Sequence, residues 1–198
     1  MLNLNVKTKR HFNVDLGGHI STSPTSFIYA GLNYNFLNRH AYYVNLNTYL
    51  GRYYNSLSAL TRIDFAAKNI FYLQVEGNLN NWNYYRLKKG IMSYSPINYI
   101  EQEERNVQIS IGMPMEIKDV LYMKIGIGKI EDSYFNRDYI TSLDTNDKTK
   151  FTNFALSINH EYNSLDAWQY PTKGYYQKIS IQYVNGKERF YSGNTSEH

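Results

Sequence analysis

Apolar and polar residues alternate along most of this chain. Between positions 28 and 36, every second residue is apolar, and the residues between them are polar, aromatic or small. Because successive side chains of a β-strand point to opposite faces, this period predicts strands that each have one apolar face, about nine in all. The apolar positions are Phe12, Val14 and Leu16; Ile28, Ala30, Leu32, Tyr34 and Phe36; Tyr42, Val44, Leu46, Thr48 and Leu50; Leu57, Ala59, Thr61, Ile63 and Phe65; Phe71, Leu73, Val75 and Leu79; Val107, Ile109, Ile111, Met113 and Met115; Leu121, Met123, Ile125 and Ile127; Phe154, Leu156, Ile158 and Tyr162; and Tyr175, Ile179, Ile181 and Tyr183.

The predicted strands are long, most of them about 10 to 13 residues. Strands of globular proteins average about five or six residues, whereas a tilted membrane-crossing strand needs about nine to eleven. The connections mostly alternate between short ones, near 37–40, 66–69 and 116–119, and long polar ones, near 83–102 and 133–150. Short periplasmic turns and long outer loops are typical of membrane barrels. We therefore expect an all-β fold, an antiparallel up-and-down transmembrane β-barrel, in which residues 26–36 run toward the periplasm and 41–52 run outward.

A period of two does not say which face lies inside. A soluble barrel that binds a small apolar ligand would enclose the apolar set, and this alternative stays open at the level of sequence. The polar set favours the opposite arrangement, because it consists mainly of Asn, Gln, Ser, Gly and Tyr, where a soluble surface carries denser charge. We assign four charges on the polar phase to a lumen, and we expect at least one cross-strand pair that joins Arg62 or Asp64 to Glu76 or Lys124.

Aromatic residues make up 16% of the chain, with 21 Tyr. Many lie near predicted strand ends, where membrane barrels carry interfacial girdles. The clusters are Tyr34 with Phe36, Tyr42 with Tyr43, Tyr53 with Tyr54, Phe71 with Tyr72, and Trp82 with Tyr84 and Tyr85.

Several classes of function find no support in the residues. The chain has no Cys, which excludes disulfides and thiolate metal sites. The five His residues, at 11, 19, 40, 160 and 198, lack metal-ligand spacing. The net charge of +4 comes without a nucleic-acid-binding motif. We expect no catalytic residue, no metal, no cofactor and no nucleic-acid partner.

The most specific local string is Asp166-Ala167-Trp168-Gln169-Tyr170-Pro171-Thr172-Lys173-Gly174. It resembles the D-x-x-x-[F/Y]-P-T-x-G signature of the Omp85 superfamily, the bacterial surface antigen D15 barrels. In that family the string lies at a periplasmic turn late in a barrel of about sixteen strands. Independently of the resemblance, Pro171 fixes φ, Gly174 permits a tight turn, and Asp166 is suited to accept backbone N–H bonds.

Four further strings carry a narrower resemblance, to the C-terminal barrel of patatin-like phospholipases from Bacteroidetes. They are residues 17–21, 31–35, 62–65 and 111–114. The lipase motifs of such proteins, G-x-S-x-G and D-G-[G/A], are absent from this sequence, as is the V-R-G-F motif of the assembly and secretion members. The missing lipase motifs predict a barrel without catalysis of its own, and the missing V-R-G-F motif argues against insertase and secretion activity.

Residues 12–191 are expected to form the barrel segment, after a linker or truncation start at 1–11 and before a loop-like tail at 192–198. Single-chain bacterial barrels have even strand numbers, so nine strands predict an incomplete sheet with exposed edges near 12–20 and 175–190. We expect a translocator or anchor in the bacterial outer membrane. Its partners would be outer-membrane lipid, the barrel-assembly machinery and a patatin or periplasmic domain in the same parent chain. A pore is the alternative, and the soluble barrel is the second.

Overall fold

The computed structural model describes residues 11–21, 26–65, 70–83, 100–134, 145–167 and 169–193. These residues form one antiparallel sheet of nine strands, whose spatial order is the order of the chain. The all-β, up-and-down arrangement predicted from the alternation is confirmed. The strands are β1 Phe12–His19, β2 Phe27–Leu37, β3 Ala41–Gly51, β4 Tyr54–Phe65, β5 Phe71–Asn83, β6 Ile100–Glu116, β7 Asp119–Tyr134, β8 Asp147–Asn163 and β9 Tyr176–Tyr191.

The register keeps apolar residues opposite apolar residues from strand to strand. Ile109 of β6 pairs with Val75 of β5 and with Ile125 of β7, and Ile125 in turn pairs with Leu156 of β8. On the other side of the same strands, Ser110 pairs with Gln74 and with Lys124. The alternation therefore gives the sheet two distinct sides. We call the side that carries Ile109 and Ile125 the apolar face and the side that carries Ser110 and Lys124 the polar face.

Burial is inverted relative to a water-soluble protein. The buried residues of the described part all lie on the polar face: Gly31, Tyr72, Ser110, Gly112, Tyr122 and Asn159. Ser110 is 2% exposed, whereas its neighbours Ile109 and Ile111 are 51% and 50% exposed. Side chains of the polar face therefore cover one another more fully than those of the apolar face do.

The nine described strands form an open sheet that does not close into a barrel. Among the described residues, each of the end strands β1 and β9 has a neighbour on one side only, and every residue of both strands is exposed. The predicted exposed edges near residues 12–20 and 175–190 are confirmed.

Strands β6 to β9 are longer than the sequence analysis predicted, with 17, 16, 17 and 16 residues. The alternation marks only the apolar stretch of each strand, while the hydrogen-bond ladder continues into charged residues beyond it. Glu103, for example, still pairs with Glu131, and Arg105 with Lys129.

The two long connections predicted near 83–102 and 133–150 are therefore shorter than expected. Their central parts, 84–99 and 135–144, lie outside the described residues, as do 1–10, 66–69 and 194–198. No helix in the described ranges is long and apolar enough to cross a membrane.

Candidate functional site: the polar face and the β8–β9 turn

The polar face is organised around Tyr72 of β5, which is 9% exposed. Its ring lies over Gly112, its register partner on β6, where a Cβ atom would overlap the ring. The guanidinium carbon of Arg62 lies over the same ring, 3.9 Å from its centroid. A glycine thus provides the space for the tyrosine, and the tyrosine supports the arginine through a cation–π contact.

Arg62 also forms the ion pair of this region, with Asp64 on the same strand. Its Nε and Nη2 atoms donate to Asp64 Oδ1 over 2.9 and 2.7 Å. The expected cross-strand pair with Glu76 or Lys124 is wrong for these four described residues. The register explains the difference, because Arg62 lies opposite Tyr43 and Gln74, whereas a residue two positions along the strand shares its face.

Glu76 and Lys124 have uncharged neighbours instead. Glu76 accepts hydrogen bonds from Gln108 Nε2 at 2.7 Å and from Asn78 Nδ2 at 3.2 Å. Lys124 Nζ lies 5.4 Å from the ring centroid of Tyr122. The four charges assigned to a lumen do lie on the polar face, where Asp64 pairs with Arg62 and the other three contact an amide or an aromatic ring.

A hydrogen-bonded chain of amides crosses β1 to β3, and the sequence analysis did not predict it. Tyr29 OH donates to Asn47 Oδ1 at 2.9 Å, and Asn47 Nδ2 donates to Asn45 Oδ1 at 2.5 Å. Asn45 Nδ2 donates to Asn33 Oδ1 at 2.6 Å, and Asn33 Nδ2 to Asp15 Oδ2 at 3.0 Å. The signal was the repeated Asn on the polar phase of successive strands. An amide both donates and accepts, so it propagates such a chain.

The turn between β8 and β9 uses Asp166 as its central acceptor. Thr172 Oγ1 donates to Asp166 Oδ2 at 2.6 Å, and the backbone N–H groups of Thr172 and Lys173 donate to Oδ1 at 2.9 and 3.1 Å. The Thr172 hydroxyl, followed by the two backbone donors, lowers the pKa of the Asp166 carboxyl to about 2. The prediction that Asp166 accepts backbone bonds is confirmed, and the Thr172 hydroxyl bond adds to it.

The remaining motif residues shape the backbone of the same turn. Gly174 has φ +94°, and a Cβ there would meet the Ser164 carbonyl oxygen, so the tight turn predicted at this glycine is confirmed. Tyr170, just before Pro171, has φ 56° and is 92% exposed. Left-handed conformations are uncommon outside glycine, and sequence reasoning missed this one. Trp168 lies outside the described residues.

Aromatic side chains cluster on the apolar face at the strand ends next to the short connections. Phe36 contacts Tyr42 at 6.1 Å between centroids, and Phe65 stacks on Phe71 at 4.5 Å. These four residues flank the connections at 38–40 and 66–70. The other expected clusters differ: Tyr43 and Tyr72 lie on the polar face, and so do Tyr54 and Trp82, which contact each other at 3.9 Å. Tyr84 and Tyr85 lie outside the described residues.

Taken together, side chains of the polar face bond mainly to one another, and the β8–β9 turn is held by the hydrogen bonds that Asp166 accepts. In the described part of the chain, no three His, Asp or Glu side chains are grouped closely enough to hold a metal ion. No protein-family model matches the chain, and no curated protein matches it either.

Proposed function

We propose that this chain is a membrane-embedded segment of an outer-membrane β-barrel and that it serves as the translocator or anchor of a larger protein. The observation that carries the proposal is the inverted burial: Ser110 and Asn159 are 2% and 5% exposed, whereas Ile127 on the apolar face is 62% exposed. In water this arrangement would be unfavourable, because it exposes apolar side chains to solvent. In a bilayer it places hydrocarbon against lipid and polar groups around a lumen.

The height of the apolar face supports a bilayer location. On β6 the apolar side chains run from Val107 to Met115, which is about 27 Å along a strand at roughly 3.4 Å per residue. A tilt of about 40° reduces this length to about 21 Å, near the apolar band of roughly 25 Å in outer-membrane barrels. The rings of Phe36, Tyr42, Phe65 and Phe71 then lie at one interface of the membrane.

The open edges at β1 and β9 would be unfavourable in lipid. Each unpaired backbone group costs several kcal/mol in hydrocarbon, so only closed barrels span bilayers. Under this proposal β1 and β9 pair with further strands, so labelling, conductance and lipid binding are measured on the complete gene product, in which any such strands are present. The likeness of the Asp166–Gly174 string to the Omp85 superfamily, and of four further strings to patatin-like barrels, supports a role as the barrel of a larger protein.

Site-specific labelling tests the proposal, because these 198 residues contain no cysteine. Any cysteine elsewhere in the gene product is replaced by serine, and single cysteines are introduced at Ile125 or Ile158 on the apolar face and at Lys124 or Gln108 on the polar face. Each is labelled with bimane and reconstituted in vesicles that contain brominated lipid. We expect strong quenching at the two apolar-face sites and little at the two polar-face sites.

The outcomes separate the competing functions. A soluble barrel would leave all four labels unquenched, which would refute the membrane proposal. A pore would show the same quenching pattern as an anchor, so the same vesicles are tested for conductance in a planar bilayer. Steady open channels would favour the pore, and their absence would favour the anchor.

A further inference from the structure

The apolar face ends in a patch of charge at the outer ends of β7, β8 and β9. Beyond the row of Ile127 and Phe154, the next two rows join Lys129 to Thr152 and Glu131 to Lys150. On β9 these rows continue as Lys187 and Arg189. With the row beyond them, the patch comprises five cations and one carboxylate on the same face as the apolar residues: Lys129, Lys148, Lys150, Lys187, Arg189 and Glu131.

The cations are arranged around one acidic residue. Lys129 Nζ lies 2.7 Å from Glu131 Oε2, and Lys150 Nζ lies 3.2 Å from Glu131 Oε1. Lys150 Nζ also lies 5.2 Å from the ring centroid of Tyr191. Glu131 therefore orders two of the five cations, while Lys187 and Arg189 make no ion pair with any residue that the structure describes. The same three rows continue on β6 as Arg105, Glu103 and Glu101, and Arg105 pairs with Glu103 at 2.8 Å. With these three residues included, the patch keeps a surplus of three positive charges.

The position of the patch fits a lipid headgroup. Rows of one face are two residues apart, so the first cationic row lies about 7 Å along the strands from the last apolar row, and neighbouring strands are about 4.8 Å apart. A lipid whose chains cover Ile127 and Phe154 would bring its headgroup phosphates level with these cations. The strand ends belong to the side with the connections at 84–99 and 135–146, which membrane barrels direct outward.

We propose that this patch binds the phosphates of an outer-leaflet glycolipid of the lipid A type. The inference rests on the proposed membrane function. Charge complementarity selects the ligand, because two or more closely spaced phosphates match paired Lys and Arg side chains better than a single zwitterionic headgroup does. The patch would fix the height and the rotation of the barrel in the outer leaflet.

The test measures binding of diphosphoryl lipid A to the complete gene product in phosphatidylcholine nanodiscs. The variant Lys187→Gln with Arg189→Gln removes two exposed cations from the patch. The matched control, Lys124→Gln with Lys178→Gln, removes two cations from the polar face. We expect the patch variant to lose at least about tenfold in affinity, because its charge-assisted hydrogen bonds to phosphate are removed, and the control to bind as the unaltered protein does.

Bimane at position 125 reports insertion in the same nanodiscs. If the label is quenched by brominated lipid but lipid A binds no better than phosphatidylcholine, the patch proposal is overturned and the membrane proposal stands. Equal loss in the patch variant and the control also overturns it, as does equal binding of phosphatidylglycerol and lipid A. If the label is not quenched, both proposals fail together.

Discussion

The ring of Tyr72 lies directly over Gly112 on the neighbouring strand, and a side chain at position 112 would overlap it. Gly77, on the apolar face, offers a contrast, because the atom closest to a Cβ there is 3.9 Å away. We expect Gly112→Ala to cost about 1–3 kcal/mol through overpacking and Gly77→Ala to be neutral or slightly stabilising. Urea unfolding of the reconstituted protein measures both. Equal effects would show that Tyr72 moves aside freely.

Charge on the apolar face should be far more costly than charge on the polar face. Ile125→Arg places a guanidinium in the middle of the apolar band, where it should cost about 2–4 kcal/mol. Gln108→Arg is the matched control, because Gln108 already contacts the Glu76 carboxylate at 2.7 Å and an arginine could bind it there. Folding into vesicles, followed by a shift in gel mobility, measures both variants. Unimpaired folding of Ile125→Arg would refute the assignment of the two faces.

Arg62 should contribute more than its partner Asp64. The two side chains are 38% and 39% exposed, so solvent screening should limit their coupling to about 1 kcal/mol or less. Arg62→Ala also uncovers the Tyr72 ring, and this loss adds about 0.5–1 kcal/mol. A double-mutant cycle with Asp64→Ala measures the coupling and the two single effects. Equal costs for the two single variants would argue that the ring contact is unimportant.

The stabilisation that Asp166 gives to the β8–β9 turn should depend on pH in the acidic range. The pKa of Asp166 is about 2 in the folded protein, below its ordinary value of 3.8. Because the folded pKa is the lower one, the stabilisation is complete above the ordinary value and is lost as the pH falls through about 2. The difference in unfolding free energy between the unaltered protein and Asp166→Asn should therefore shrink as the pH falls below 3.8. A constant difference across that range would contradict this account of the turn.

The two open edges should make the 198-residue chain aggregate when it is isolated. Unpaired strand edges recruit other strands, and β1 and β9 have a partner on one side only. After refolding in micelles, we expect light scattering and no heat-modifiable band on a detergent gel. Ile181→Lys on β9 should slow the aggregation, because edge charges oppose pairing. A compact, heat-modifiable monomer would show that the chain closes by itself.

Much of the fold could be predicted from the sequence, because alternation is a local property that can be recognised within each strand without knowledge of its neighbours. The phase of Ile109, Ile125 and Leu156 was enough to place them on one face, and the register then sets them side by side. Strand ends were harder, since Glu103 and Lys129 continue the ladder without an apolar signal. The Arg62–Asp64 pair was missed because the register decides which residues face each other. The left-handed Tyr170 and the amide chain from Tyr29 to Asp15 depend on three-dimensional context that no single segment contains.

The register of the sheet has one irregularity, between β6 and β7, where Pro114 pairs with Val120 and Glu116 pairs with Asp119. Met115 is thus an extra residue next to a proline, which sheets tolerate at bulges. Elsewhere a one-residue insertion in a strand would move every following side chain of that strand to the opposite face. A two-residue insertion would leave each side chain on its original face. Strand lengths in related sequences should therefore differ by even numbers, and an odd difference should be accompanied by a bulge or fall in a connection. Whether a length difference is even or odd should then matter more for keeping the two faces than the identity of any one side chain.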